Sequence, residues 1–207
     1  MPRPARPLSP EASERLRLAA AEAFGAKGLD DASLNDILKQ ADMGKGSFYH
    51  RFADKAALHD WVADAMARAV IEQSRPPGLS SLTAETFRAE LSAMLGRFTS
   101  LAAERPELAN LGLMFHNSAG LPEERAMTMV RAAVLRWIED ALLRGRELGV
   151  IRADLPADLL SALAIASLTT IDTWVLAAPS EPAARASTAS AALDALWALL
   201  APPAPSR

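Results

Sequence analysis

The sequence predicts an all-α fold in two parts: an N-terminal three-helix helix-turn-helix domain and a larger C-terminal helical bundle. Three observations carry this. No segment alternates apolar and polar residues as a strand does, apolar residues recur at helical spacing along the chain, and half of the 207 residues are hydrophobic. Ala and Leu dominate and aromatics are few, a composition of good helix formers. The length accommodates a small domain plus a larger one with its own core.

The elements follow in order. The first eight residues, with Arg3 and Arg6, are charged and Pro-rich and are expected to form a disordered basic arm. Ser9 then caps a first helix with Pro10 at its first position and Glu11 in its first turn, ending at Gly28. A second helix carries Leu34, Ile37, Leu38 and Ala41 on one face; Ser33, followed three residues later by Asp36, marks its start. The chain turns at Asp42-Met43-Gly44, and a short third helix starts between Lys45 and Ser47 and carries Phe48, Tyr49 and Phe52. A fourth runs from Asp54 to Arg75 and stops at Pro76-Pro77-Gly78, which is taken as the domain boundary. The first domain therefore spans 9–75, with the motif at about 32–51 and a linking helix at 54–75. The second domain, 79–201, is expected to hold helices over Thr83–Glu104, Pro106–Ser118, Pro122–Leu148, Pro156–Ala178 and Ala184–Leu200, before a disordered tail at 202–207.

In a helix-turn-helix the second helix of the motif enters the major groove and the first crosses the backbone. Phe48 and Phe52, four apart, would hold that recognition helix onto the preceding two. Gly44, Lys45, Gly46, Ser47, Tyr49 and His50 are then left to face double-stranded DNA, and the hydroxyls of Ser33, Ser47 and Tyr49 suit phosphate oxygens. Gly46 would let the helix approach closely.

These residues closely resemble the N-terminal domain of the tetracycline-repressor (TetR) family. The family's KGSFYxxFxxKxxL-like run is met by Lys45-Gly46-Ser47-Phe48-Tyr49-His50-Arg51-Phe52, Lys55 and Leu58, and the preceding helix agrees through Leu16, Ala20, Ala23, Phe24 and Lys27-Gly28. The resemblance covers the first quarter to third of the chain. It implies a phosphate contact for Lys55 and a dimer that binds a palindromic operator. Three positions depart from the pattern: Ala32 stands where the family often has Thr, Asp42 where the turn usually has Gly, and Gly44 where Ser or Thr commonly caps the recognition helix. Gly is itself a tolerable cap, so the motif survives the last of these.

Charge alone does not advertise a DNA binder. The formal net charge is −3, and residues 1–60 carry nine Lys/Arg against nine Asp/Glu. The positive charge is local, in Lys45, Arg51 and Lys55 against Asp54, which implies modest non-specific affinity and a moderate salt dependence. With no cysteine there is no disulfide framework or thiolate metal site, in keeping with a cytoplasmic protein. No secretory leader is recognised in the Pro-rich start. The apolar stretch Leu159–Ala178 holds Ser161, Ser167, Thr169, Thr170, Asp172 and Thr173 and is not expected to span a membrane. His50, His59 and His116 form no metal-ligand spacing, Gly44-Lys45-Gly46-Ser47 lacks the earlier Gly of a phosphate loop, and no nucleophile elbow occurs. Neither an enzyme nor a resident cofactor or metal is expected.

The helix from Pro156 is apolar on two sides, with Leu160, Ala164, Ser167, Ile171 and Trp174 on one and Ile165, Leu168, Val175 and Leu176 on the other, so it should be buried all round. With the Ala-rich last helix it would form a four-helix bundle between two copies, making the protein a homodimer. Met94, Phe98, Met114, Phe115, Met127 and Trp137 are adaptable lining for a small-molecule inducer, or plain core. Asp172 lies on the second stripe and needs a partner there, either a structural hydrogen bond or ion pair or the inducer. The sequence thus reads as a transcriptional regulator, a repressor released from its operator by a ligand; the alternative is an architectural DNA-binding protein without an inducer.

Overall fold

The computed structural model describes residues 8–105, 108–177 and 182–203. Among them nine α-helices and one short 3-10 turn follow in order, with no strand: α1 (Pro10–Asp31), α2 (Leu34–Gln40), α3 (Lys45–Tyr49), α4 (Lys55–Ser74), the turn Leu79–Ser81, α5 (Phe87–Glu104), α6 (Ala109–His116), α7 (Ala126–Glu147), α8 (Ala157–Ala177) and α9 (Pro182–Leu200). The all-α class expected from the sequence is the one observed. Most of the expected arm and the end of the tail lie outside the described residues, as does the expected helix start at Pro106.

Local chemistry sets the N-terminal boundaries. The Ser9 hydroxyl accepts from the amide of Ala12 at 3.2 Å and Pro10 opens α1. The Ser33 hydroxyl accepts from the Asp36 amide at 3.3 Å and caps α2. Gly28, at φ 75° and ψ 178°, breaks the helical path of α1 where the sequence ends the first helix, though one further turn follows it. Two expected starts move inward. Thr83 and Thr86 bond each other's backbone and side chain, so α5 begins only at Phe87, and α7 begins at Ala126 after a turn over Pro122–Arg125.

The chain forms two compact units, and none of the divisions between them falls at the expected boundary Pro76-Pro77-Gly78. The first holds the residues up to Val70 together with Arg105–Arg131; the second holds Ile71–Glu104 and Ala132 onward. Residues 105–131, expected in the C-terminal domain, therefore cluster with the helix-turn-helix. The physical reason is contact between helices far apart in sequence. α6 packs against α1 at Gly25, where a Cβ would lie 3.1 Å from the Asn110 carbonyl oxygen, and the Asn117 amide donates to the Gly25 carbonyl at 3.0 Å. Asp60 of α4 accepts from Arg125 at 2.8 Å and from the Ala126 amide at 3.1 Å, capping α7 from outside its own segment.

The second unit is built on Leu82, Phe87, Leu91, Leu142, Ile151, Leu160, Ala164, Leu196 and Leu200. Gly145 sits against this core with no room for a side chain, since its Cβ would come within 2.3 Å of Ile151 and 2.8 Å of Phe87. Arginines close the chain ends: Arg152 donates to the Leu199 carbonyl, and Arg144 to that of Leu82. α8 departs from expectation. Among its described side chains only Leu160 and Ala164 are fully buried, while Leu159, Leu163 and Trp174 are exposed, Trp174 by 45%. One chain alone supplies neighbours for just one side of a helix that is apolar on two. By length and composition α8 could cross a membrane.

Candidate nucleic-acid interface

The first unit positions a short helix, α3, against two aromatic anchors. Phe48 is fully buried and Phe52 nearly so; their rings stack with centroids 5.4 Å apart, and Phe52 meets Trp61 of α4 edge-on at 5.6 Å. Ile37, Leu38 and Ala41 are buried on α2, and Leu34 is half-buried. Phe48 lies within α3, whereas Phe52, expected on the same helix, follows its end at Tyr49 with its amide bonded to the Phe48 carbonyl at 3.0 Å; anchoring through these two rings leaves the other side of α3 outward.

That outward side carries what the sequence placed there. Gly44, Lys45, Gly46, Ser47, Tyr49 and His50 are all exposed, Tyr49 by 59% while its ring leans edge-on against Phe48. Gly44 is the N-cap of α3 and brings no side-chain hydrogen bond. A Cβ placed on Gly44 or Gly46 would meet nothing within 4 Å, so the protein's own packing gives neither position a reason to lack a side chain. Ser33 is half-buried and its hydroxyl oxygen is engaged as the α2 cap.

Two positions carry chemistry the sequence did not reveal. Asp42 in the turn adopts φ 52°, the left-handed conformation for which Gly is the usual residue and which Asp tolerates better than most. Lys55, expected on a phosphate, is half-buried in the DNA-free fold, and its ammonium donates to the carbonyls of Asp30 at 2.8 Å and Ala32 at 2.9 Å. A lysine spaced like a DNA contact in sequence is held here by the end of α1. No local pattern announces that, because the partners lie more than twenty residues away.

Behind this face, His59 is 2% exposed and meets Phe24 edge-on at 5.0 Å. Its Nδ1 is buried without a hydrogen-bond partner, 3.8 Å from the Asp60 carboxylate. Burial pushes its pKa below the ordinary imidazole value, against the opposing pull of Asp60.

The residues expected to line a ligand site fall in both units. Met114 and Met127 are buried in the first, and Phe115 is half-buried there beneath the Arg131 guanidinium. Met94, Phe98, Trp137 and Asp172 are half-buried in the second, where Trp137 packs on the core. Two hollows are seen in the second unit. One of about 150 Å³ lies between α5 and α9, lined by Leu95, Gly96, Leu193 and Trp197 with Ser92 and Asp194. The other, of about 450 Å³, is an open groove along α7 and α8. None of the seven expected residues lines either one. Among the described residues no cluster of His, Cys, Asp and Glu could hold a metal.

The comparisons with known proteins bear on the same regions. The family model for bacterial regulatory proteins of the tetR family matches residues 16–60, which run from α1 through the recognition helix into α4. The HTH-type transcriptional regulator YvdT of Bacillus subtilis is 38% identical over 60 residues, 29% of this chain, and the match spans about a third (31%) of that relative's length. Over nearly the whole chain the fold is similar to solved regulators. The ketosteroid transcriptional regulator KstR2 of Mycobacterium tuberculosis matches with a TM-score of 0.66 and 21% identity, covering 96% of this chain and 99% of that one. FadR of Bacillus subtilis, solved with stearoyl-CoA, matches with a TM-score of 0.62 and 18% identity over 89% and 97%. A tetR-family protein from Rhodococcus RHA1 gives 0.67 and 17% over 94% and 98%. The matched residues 16–60 thus carry the tetR-family pattern on an exposed short helix, and the all-helical fold is similar to that of solved tetR-family regulators over nearly the full length.

Proposed function

We propose that the protein is a cytoplasmic, homodimeric, sequence-specific DNA-binding regulator, a repressor that leaves a palindromic operator when a small molecule binds. The observation that carries the DNA-binding reading is α3 itself: Lys45, Ser47, Tyr49 and His50 stand outward on a helix anchored from behind by Phe48 and Phe52. The exposed residues of this five-residue helix and its C-cap include a cation, two hydroxyls and an imidazole, the groups that meet phosphates and base edges.

Dimerisation is supported by α8. Its exposed side offers Leu159, Leu163 and Trp174, and the hydroxyls of Ser167 and Thr170 are bonded back to the carbonyls of Leu163 and Ala166, each at 2.8 Å. Hydroxyls satisfied within their own helix can be covered by a partner without leaving a polar group unpaired. For the ligand, the stearoyl-CoA bound by FadR and the ketosteroid in the name of KstR2 support an apolar or amphipathic molecule. Met94, Phe98, Trp137 and Asp172 in the second unit remain candidates for its lining, whereas buried Met114 and Met127 fit better as core of the first. α4 and α7 each contribute residues to both units and are two of the three covalent routes by which such a ligand would shift the recognition helix, the third being Glu104–Arg105.

Selection of duplexes from a random pool, followed by titration over a salt series and light scattering, tests this reading. The expected result is a palindromic site bound by two copies. A monomer with undiminished affinity, or the absence of any preferred sequence, would overturn it.

A further inference from the structure

The end of α1 has an electrostatic problem that its own segment does not solve. Carbonyl oxygens converge at a helix C-terminus and favour a nearby cation, yet the last turn of α1 holds no basic residue and ends in Asp30-Asp31. The chain then passes through extended Ala32 directly to Ser33, the cap of α2. The angle at which α2, and therefore α3, leaves α1 is set within those few residues.

We propose that Lys55 is a positioning residue of the DNA-binding unit. Its ammonium supplies from the first residue of α4 the cation that the end of α1 lacks, and so fixes the start of α4 to the junction that launches α2. The two bonds, at 2.8 and 2.9 Å, have the geometry of charge-assisted contacts, and they straddle the junction: one acceptor is in the last turn of α1 and the other is its C-cap. One side chain thereby ties three helices. This differs from a phosphate contact, in which the ammonium would be exposed and idle until DNA arrives. The inference rests on the DNA-binding reading for its consequence, though not for its geometry.

The test compares Lys55→Met, which keeps the stem and loses the charge, with Lys55→Arg, whose guanidinium can still bridge two carbonyls. Each is measured on the full chain for its melting temperature without DNA, and at 20 °C for affinity to a selected operator and to a random duplex over a salt series. Positioning predicts that Lys55→Met melts lower, loses about tenfold in the ratio of operator to random affinity, and keeps the wild-type salt slope on random DNA. Lys55→Arg should recover most of that ratio, which a merely structural loss at a temperature where the protein is folded would not move. An unchanged melting temperature, with operator and random affinity falling together and a slope lower by about one per subunit, would overturn the proposal in favour of a phosphate contact. If the wild type binds no duplex at all, the DNA-binding reading fails. The melting comparison still decides whether the latch exists, and an unchanged melt rejects it. Should Lys55→Met fail to fold, Lys55→Gln carries the same comparison.

Discussion

Gly46→Ala separates folding from DNA binding, because the structure gives the two quantities opposite signs. Gly46 lies within α3 at helical geometry, is exposed, and has nothing within 4 Å of where a Cβ would sit. A glycine inside a helix costs roughly 0.5–1 kcal/mol relative to Ala, so the substitution should stabilise the protein by about that amount. In a chain of this size that raises the melting temperature by about 2–4 °C per kcal/mol. On the proposed function the same space is occupied by DNA. A methyl group forced into a packed interface costs about 1–3 kcal/mol, which is a loss of roughly five- to 150-fold in operator affinity. Thermal melts of the DNA-free protein and titrations of a selected operator measure the two effects. A higher melting temperature with unchanged affinity would refute the close approach of DNA to α3, and a lower melting temperature would refute the reading that the protein itself leaves this space open.

Two further expectations concern the first unit. Because burial depresses the pKa of His59 in the fold, its unfolded form binds a proton more readily; the stability tied to neutral His59 is complete above about pH 6.5 and is lost as pH falls through the depressed folded value. Melts from pH 8 to 5 should show this fall in the wild type and less of it in His59→Gln, and equal slopes would discount His59 as the source. Asp60→Ala removes the cap of α7 and the partner of Arg125 and should cost about 2 kcal/mol in a denaturant titration, whereas a loss within about 0.5 kcal/mol would show that solvent replaces both bonds.

What the sequence made legible was written in local patterns. Ser9, Ser33 and Gly44 stand at helix starts, Gly28 breaks α1, Pro76-Pro77 follows the end of α4, and Phe48 and Phe52 anchor α3 as their spacing requires. Each depends on neighbours within a few residues, so one-dimensional reading reaches it. The contacts that local patterns do not reach have the opposite character. α6 joins the first unit because Gly25 of α1 lets it approach, a meeting of residues some ninety positions apart that no periodicity encodes. Lys55 matches a family pattern for a phosphate contact, yet its acceptors are carbonyls, and every residue type has those. The apolar character of α8 is plain in its sequence, but burial all round needs neighbours on both sides, and a single chain provides them on one.

The distribution of cations bears on how such a unit could hold DNA at all. In the second unit Arg97, Arg144, Arg146 and Arg152 all donate to backbone carbonyls and thus serve the fold. In the first, Arg15 reaches the Ala41 carbonyl, Arg125 pairs with Asp60, and Lys55 is engaged at the end of α1. Lys45 is the exposed cation on α3 itself. A face of this kind cannot rely on counterion release alone, whose contribution grows with each phosphate neutralised. On the proposed function its affinity must come instead from close backbone approach at Gly44 and Gly46, from the hydroxyls of Ser47 and Tyr49, and from joining two such faces in one dimer. The second face then binds at a high effective concentration rather than from bulk solution. That makes the spacing of the two recognition helices the sensitive quantity: a weak face gains little alone, so a ligand need only misplace one α3 relative to its half-site to forfeit most of the joint affinity.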